Sequence, residues 1–235
     1  MVESLTLEAP FSFDKTIALR LMRRQINPKE AFTVRDAGGA FYRASLKDLS
    51  PRGGIAVVYE RLSVSPEPSV EITLACAVLA RQRMIFIMQK ATELGASCIV
   101  PLLTDCSVPA EGLEHEKAHA WPGQIIRAAK QCRRSSLPQI MPPTTLEAFL
   151  TSPKFLASDL KFYLDDHGPH AVHATSVPRS IVLCAGPEGG FSDTERRRLE
   201  SAAVPWRLGG RVLRAETAVM VGLVAIHLTW GDYRL

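Results

Sequence analysis

The strongest constraint on the fold lies near the carboxyl end of the chain, where an apolar run leads through a glycine turn into a helix start. The run Ile181–Ala185 predicts a short buried strand, and the turn Gly186–Gly190 follows it directly. Ser192 and Glu195 then form the pattern of a capping box, which predicts that a helix begins there. Because the first N–H groups of a helix have no partners within it, this arrangement can hold an anion or the polar edge of a heterocycle.

A second glycine turn follows at Arg207–Ala218, and it leads into an apolar helix predicted over Val219–Trp230. Either turn taken alone is explained by an ordinary tight turn in an α/β domain. The two turns in this order, with these flanking segments, are a much more specific pattern.

The segment before these turns alternates strands with helices, which predicts a mainly parallel sheet covered on both faces. Strands are predicted over Glu71–Val78, Ser97–Leu102 and Lys161–Leu164, and helices over Arg83–Leu94, Leu113–Cys132 (with a break near Pro122) and Thr144–Leu150. The first of these helices is expected to end at Gly95. Because Ile85 and Phe86 make it apolar on a second side, we expect it to be well buried.

The first 70 residues have the pattern of a small β-rich domain. Ala31–Arg35 and Ala40–Ala44 flank the turn Asp36–Gly39, which predicts a hairpin, and a further strand is predicted over Ile55–Tyr59. No opening strand is evident ahead of Leu21–Gln25. The sequence therefore predicts two domains, residues 1–70 and 71–235.

Composition limits the class of protein. With 235 residues, 46% of them hydrophobic and 22% charged, the chain can bury a sizeable core, and no apolar run is long enough to span a bilayer. Met1–Pro10 lacks the features of a secretory signal, so we expect a cytoplasmic protein. The net charge of +4 is modest, but short basic groups recur along the chain, which favours a phosphate-lined partner. The five cysteines contain no Cys-x-x-Cys pair, which is typical of a reduced compartment and no structural zinc.

Both glycine turns carry a resemblance to a known family. The chain resembles the methyltransferases that act on N3 of a uridine in small-subunit ribosomal RNA, a branch of the knotted SPOUT class. Their patterns are Gly-Pro-Glu-Gly-Gly-Phe/Leu-Ser and Leu-Gly-x-Arg-Val/Ile-Leu-Arg-x-Glu-Thr-Ala, with Gly210 here replacing a common proline. The segments Gln89–Ala96 and Ala129–Arg134 match two further family stretches. Ala80–Ile85 departs from the family, because it lacks two carboxylates that are usual there.

The resemblance implies a fold, a cofactor and partners. It implies an α/β SPOUT domain with a mainly parallel sheet and a C-terminal trefoil knot over residues 71–235, and a PUA-like RNA-binding β-barrel, shortened, over residues 1–70. It implies S-adenosylmethionine (SAM) as cofactor, the 16S rRNA of the 30S subunit as partner, and a homodimer of packed knotted domains. No membrane partner and no metal are expected.

The same resemblance places the cofactor among three loops. The residues it assigns to cofactor binding are Leu164, Asp165, Gly186, Pro187, Glu188, Gly189, Gly190, Leu208, Gly209, Val212, Leu213, Arg214, Glu216, Thr217 and Ala218. Glycines allow the backbone to approach a ligand closely, and the leucine and valine side chains supply apolar contact for adenine.

Methylation of N3 requires loss of a weakly acidic imide proton, because the neutral nitrogen is a poor nucleophile. Arginine stays protonated and can stabilise the resulting anion, so Arg134 and Arg214 are candidate catalytic residues. Glu216 could orient an arginine or accept the proton through water, and the alternative that it only forms a helix-start ion pair with Arg214 stays open. The candidate RNA-binding residues are Arg20, Arg23, Arg24, Lys130, Arg133 and Arg134.

Other hypotheses remain. The missing carboxylates near Arg81–Ile85 would suit an inactive rRNA-binding assembly factor of the same fold, and related knotted enzymes methylate the 2′-oxygen of ribose. His115-Glu116-Lys117-Ala118-His119 has the spacing of a zinc hydrolase motif, but its polar surroundings favour a solvated helix face. A polar loop is likewise favoured for His167, His170 and His173, and a solvated helix face for Arg196–Arg198.

Overall fold

The computed structural model describes residues 4–168 and 177–233, which form two compact units. The first unit is Met1–Glu67 with Ile126–Leu137, and the second is Pro68–Ile125 with Pro138–Leu235. Sequence reasoning assigned Ile126–Leu137 to the second domain, whereas this segment packs with the first unit. The division into two functional domains near residue 70 stays a prediction.

The first unit is an antiparallel sheet with one helix. Its elements are β1 (Pro10–Asp14), α1 (Lys15–Arg23), β2 (Ala31–Arg35), β3 (Phe41–Ser50) and β4 (Gly53–Arg61). The strand order is β1-β4-β3-β2, and the predicted hairpin is confirmed by the pairing of Arg35 with Phe41. Among the described strands, no pairing joins β1 to β2, so the sheet is open and the closed PUA-like barrel is not shown.

Strand β1 is present although no strand was predicted before the helix. It is five residues long, begins with Pro10 and buries one large side chain, Phe13. A Cβ on Gly54 of β4 would come within 2.5 Å of the Phe13 ring. The glycine therefore makes room for the ring, and this tertiary fit, which residue propensities do not reveal, holds β1 in the sheet.

The second unit is built on a parallel sheet. Its strands are β5 (Glu71–Ala77), β6 (Cys98–Leu103), β7 (Gln139–Ile140), β8 (Thr144–Thr145), β9 (Leu160–Leu164), β10 (Ser180–Ala185) and β11 (Val204–Trp206). The helices of this part of the chain are α2 (Arg81–Glu93), α3 (Trp121–Gln131, which continues into the first unit), α4 (Leu146–Leu150), α5 (Pro153–Leu156), α6 (Asp193–Glu200) and α7 (Ala215–Thr229). The strand order is β11-β9-β10-β5-β6-β7, with β8 also paired to β6. Every described pairing in this sheet is parallel, as predicted.

Two helices differ from their predictions. Helix α2 stops before Gly95, which has a φ of +81°, and buries Met84 and Ile87 as expected. The expectation of a second buried side is wrong, since Phe86 is 41% exposed. Helix α3 begins only at Trp121, with a proline in its first turn, where the missing N–H costs nothing. The residues before it form turns and short 3₁₀ segments.

The order of the strands creates one edge where loops converge. Strand β10 lies between β9 and β5, and β11 lies beyond β9, so β9, β10 and β11 end side by side at the carboxyl edge of the sheet. Helix α7 comes close to β10, because a Cβ on Gly222 would be 2.9 Å from Leu183 Cδ2. In parallel sheets, ligands bind outside the carboxyl ends of the strands where the strand order reverses. Within residues 4–168 and 177–233, no helix has the length and apolar character needed to cross a membrane.

Candidate active site

A cleft of about 310 Å³ lies at the carboxyl ends of β9, β10 and β11. Three segments meet there: the residues after β9, the glycine turn after β10, and the loop between β11 and α7. The predicted cofactor residues that line it are Leu164, Asp165, Gly186, Pro187, Glu188, Gly189, Gly190, Leu208, Gly209, Val212, Leu213 and Ala218. Arg214, Glu216 and Thr217 are not among its lining residues. The lining residues that sequence reasoning did not assign to this site are Asp166, His167, Ala185, Phe191, Arg196, Trp206, Arg207, Arg211 and Ala215.

The glycine turn after β10 is held by its own backbone and by the start of α6. Gly190 has a φ of +73°, and its N–H donates to the Pro187 carbonyl at 2.9 Å. The predicted capping box is confirmed: the Ser192 N–H donates to Glu195 Oε2 at 2.9 Å, and the Ser192 hydroxyl accepts from the Glu195 N–H. Glu195 also accepts from the Asp105 N–H at 3.0 Å, so the helix start is tied to a neighbouring loop.

The segment after β9 is held by the carboxylate of Asp165, which contacts a backbone N–H and an arginine. Asp165 Oδ1 accepts from the His167 N–H at 2.7 Å, and Oδ2 lies 3.2 Å from Arg196 Nη1. The Asp165 side chain is only 7% exposed. The prediction of a solvated face is therefore wrong for Arg196, which lines the cleft and pairs with a buried carboxylate. The prediction considered only the run of arginines on α6, and the sequence does not show that Asp165, at the end of β9, lies beside Arg196.

The loop between β11 and α7 is exposed to solvent at Gly210–Val212. Arg207 Nε donates to the Gly209 carbonyl at 3.0 Å, which closes the turn. A Cβ on Gly209 or Gly210 would meet nothing within 4 Å. Val212 is 87% exposed, so the apolar surface predicted to contact adenine is available to a ligand or a partner.

Of the two roles left open for Glu216, the structure shows no ion pair with Arg214 among the described contacts and places Glu216 near another arginine. Arg214 is the exposed N-cap residue of α7, with extended backbone angles. Glu216 lies in the first turn of α7, and its Oε2 is 4.0 Å from Nε of Arg83. Arg83 also forms an ion pair with Glu188 of the glycine turn. No sequence spacing links Arg83 to either carboxylate, so only the fold reveals this contact.

Arg134 belongs to the first unit, where Glu67 holds it. Its side chain is 4% exposed, with Nη2 at 2.8 Å and Nε at 3.2 Å from Glu67 Oε2. Glu67 also accepts from the N–H and hydroxyl groups of Ser135 and Ser136. A catalytic role for Arg134 stays a prediction, and it would require the guanidinium to leave this carboxylate.

The candidate RNA-binding residues fall into two groups. Arg20, Arg23 and Arg133 are exposed. Arg24 is buried and donates to the Ser135 carbonyl at 2.9 Å, and burial lowers its pKa to about 10. Lys130 Nζ lies 2.8 Å from Glu30 Oε2. A direct phosphate contact is therefore not available to Arg24, whose side chain positions the loop after α3 instead.

The histidine motif does not have the geometry of a zinc site. His115 lies in a turn and His119 in a short 3₁₀ segment, so they do not share one α-helix; both are exposed, and Lys117 between them has a φ of +52°. His170 and His173 lie outside the described residues. Within residues 4–168 and 177–233, no group of three or more histidine, cysteine or acidic side chains could hold a metal ion.

The comparisons with known proteins agree with this geometry. The model of the RNA methyltransferase domain family matches residues 65–227, which contain all three cleft segments. The chain belongs to this family. Ribosomal RNA small subunit methyltransferase E of Synechocystis sp. is 33% identical over 221 residues, covering 90% of this chain and 71% of that protein. The Bacillus subtilis protein of the same name is 27% identical over 194 residues, covering 78% and 76%.

Two solved structures are similar to this chain over nearly its full length. A ribosomal RNA small subunit methyltransferase E from Neisseria gonorrhoeae, bound to S-adenosyl methionine, superposes with a TM-score of 0.71 at 25% identity, covering 100% of this chain and 98% of that one. A methyltransferase from Legionella pneumophila, in complex with the bound cofactor SAM, has a TM-score of 0.70 at 28% identity, covering 99% and 97%. The mainly parallel α/β fold expected of the SPOUT class is confirmed.

Proposed function

We propose that the chain is a SAM-dependent methyltransferase that methylates N3 of a uridine in the 16S rRNA of the small ribosomal subunit. The observation that carries the proposal is the cleft at the carboxyl ends of β9, β10 and β11, in a chain of the RNA methyltransferase family. The names of its relatives and the cofactor bound in the similar structures support it. The choice of N3 rests on the resemblance of both glycine turns to the uridine-N3 family.

The residues of the cleft fit the proposed cofactor. Its volume of about 310 Å³ falls at the lower end of ligand pockets, which span roughly 300–1,000 Å³. Gly190 and Gly209 leave open space where a side chain would otherwise stand, so a ligand can reach their backbone. Leu208 and Leu213 line the cleft and offer apolar contact for adenine.

When bound, SAM would supply an electrophilic methyl group for transfer to nitrogen. The chain must orient the uridine and help its imide proton to leave. We assign Glu216 as the proton acceptor through water, since its Oε2 has no hydrogen-bond partner among the described residues and its neighbours Ala215 and Ala218 line the cleft. We assign Arg214 to stabilise the developing negative charge on the uridine oxygens, because it is exposed at the start of α7 and permanently charged.

We further propose that the protein works as a homodimer. Val221 and Leu228 lie seven residues apart on one face of α7 and are 37% and 39% exposed, and Phe86 on α2, which packs against α7, is 41% exposed. A partner copy would remove these apolar side chains from water. The trefoil knot and a PUA-like role of the first unit, with Arg20, Arg23 and Arg133 towards RNA, belong to the same proposal and rest on the resemblance.

The test uses purified protein and 30S subunits that lack the modification. Titration calorimetry should detect SAM binding, and mass spectrometry of digested rRNA should then detect 3-methyluridine. A methylated ribose instead would assign the related 2′-O activity. Cofactor and rRNA binding without any transfer would identify the inactive assembly factor. No SAM binding at low salt would contradict the proposal as a whole.

A further inference from the structure

We propose that Arg83 is a positioning residue of the methyl-transfer site, which rests on the function proposed above. Arg83 lies in the first turn of α2, and its guanidinium is shared by two carboxylates. Nη1 pairs with Glu188 Oε1, and Nε lies 4.0 Å from Glu216 Oε2. One cation thereby connects the start of α2, the glycine turn after β10 and the first turn of α7.

Glu216 depends on this cation more than Glu188 does. The Glu216 side chain is 16% exposed and that of Glu188 is 43% exposed, so water can screen Glu188 but not Glu216. Removing the opposite charge beside a largely buried carboxylate is costly, because water does not replace it. Arg83 supplies that charge from 4.0 Å, a distance at which it does not occupy Oε2 with a hydrogen bond. Glu216 Oε2 therefore has a cation nearby but no hydrogen-bond partner among the described residues.

Arg83 acts on the cleft through these two carboxylates. Glu188 lines the cleft, and so do Ala215 and Ala218 on either side of Glu216 along the chain. Arg83 itself is not among the lining residues. Its loss would release the glycine turn and the first turn of α7 together, and the geometry of both would relax.

The arrangement requires an arginine. The guanidinium presents Nη1 and Nε in one rigid plane, so it can face two carboxylates from different elements at once. A lysine ammonium is a compact point charge on a flexible stem. It can keep the charge near Glu216 but cannot hold both partners in a fixed geometry. Arg83→Lys should therefore recover part of the function that Arg83→Gln loses.

The experiment compares Arg83→Gln, Arg83→Lys and the matched control Arg81→Gln, which removes an exposed arginine from the same helix turn. With 30S substrate, we expect kcat to fall about 10–100-fold in Arg83→Gln, as for a displaced catalytic group, with the KM for SAM nearly unchanged. Arg83→Lys should give an intermediate kcat, and Arg81→Gln should match the wild type. Equal kcat in Arg83→Gln and Arg81→Gln would overturn the proposal. The proposal would also be overturned if the fall in kcat of Arg83→Gln were explained by a lower melting temperature and Arg83→Lys recovered none of it.

A second readout separates this proposal from the proposed function. Hydrogen exchange of the full-length protein, measured by mass spectrometry without substrate, should be faster at residues 186–190 and 215–218 in Arg83→Gln than in Arg81→Gln. If the wild type fails to methylate 30S subunits while this difference is present, the function is wrong and the connection through Arg83 stands. Identical exchange in the two variants would overturn the connection whatever the activity.

Discussion

Replacing Glu67 by glutamine should selectively loosen the loop that follows α3. The carboxylate accepts from Arg134 at 2.8 Å and 3.2 Å, and from the N–H and hydroxyl groups of Ser135 and Ser136 at 2.6–2.9 Å. Glutamine has the same shape, but its amide nitrogen is a donor and would face other donors. The substitution also leaves the Arg134 guanidinium, which is 4% exposed, without its counter-charge.

The expected cost follows from burial. Removing one partner of a buried ion pair costs about 3–5 kcal/mol, because the other charge stays out of water. Since the Glu67 side chain is 21% exposed, solvent can relieve part of this, and we expect about 3 kcal/mol. Glu30→Gln is the matched control within the same unit. Its partner Lys130 and Glu30 itself are 30% and 39% exposed, so the loss should be about 0–1 kcal/mol.

Hydrogen exchange can localise this effect. Peptides within Ile126–Leu137 report on the first unit, where Glu67 lies. The three tryptophans, Trp121, Trp206 and Trp230, all belong to the second unit, so their emission serves as an internal control. The free energy of opening at Ile126–Leu137 should fall in Glu67→Gln, while tryptophan emission stays unchanged. Protection in Glu67→Gln equal to that in Glu30→Gln would refute the reasoning.

The ion pair of Glu67 with Arg134 should also make the stability of the loop after α3 depend on pH. Burial acts to raise the pKa of Glu67, but the charge and hydrogen bonds of Arg134, with those of Ser136, outweigh it, and the pKa is lowered from 4.5. A carboxyl whose pKa is lowered in the folded state stabilises the fold above its unfolded pKa, and loses that stabilisation as the pH falls through the folded value. The difference in opening free energy between wild type and Glu67→Gln should therefore narrow below pH 4.5. A difference that stays constant into strong acid would contradict the ionic origin.

Three further outcomes can be measured on the isolated protein. Gly190→Ala should lower the free energy of unfolding by about 1–2 kcal/mol in thermal denaturation, because Gly190 has a φ of +73°. Gly209→Ala, at a position with equally open surroundings and no positive φ, should be nearly neutral. Equal losses in the two variants would exclude a backbone cause. Arg196→Gln should lower the free energy of unfolding by about 1.5–3 kcal/mol and weaken SAM binding measured by calorimetry, because it removes the partner of the buried Asp165. Arg198→Gln breaks only the exposed pair with Glu147, so stability and SAM binding should both stay unchanged. Since burial raises the pKa of Cys184 to about 12, iodoacetamide should leave it unmodified in the folded protein at neutral pH, as judged by mass spectrometry.

The sequence predicted best those elements whose neighbours lie close along the chain. The capping box at Ser192 and Glu195 is local, and the strand Ile181–Ala185 is apolar throughout because both faces of a parallel sheet are buried. The helix that ends before Gly95 was predicted for the same reason, because the glycine that ends it follows directly in the sequence. Strand β1 was missed because two phenylalanines behind Pro10 are too short a pattern to predict a strand.

The features that sequence reasoning missed are contacts between distant segments. Arg83 lies more than a hundred positions before Glu188, so no periodic pattern joins them. Ile126–Leu137 reads as the end of a helix in the second domain, yet Thr33 donates to the Arg133 carbonyl at 2.8 Å within the first unit. An arginine such as Arg24 is expected at the surface from its charge alone, and only the fold shows that it is buried.

The three carboxylates assigned to the cofactor site differ in what they can still do. Asp165 has donors on both oxygens, so its charge serves to hold the segment after β9. Glu188 is paired with Arg83 and partly exposed, so its charge is already compensated. Glu216 is largely buried and close to a cation, and it alone of the three keeps a buried oxygen without a hydrogen bond among the described residues. An oxygen of that kind is costly in a finished structure unless a ligand completes it. The proton acceptor is therefore best sought at Glu216, and Glu216→Gln should abolish methyl transfer while SAM still binds.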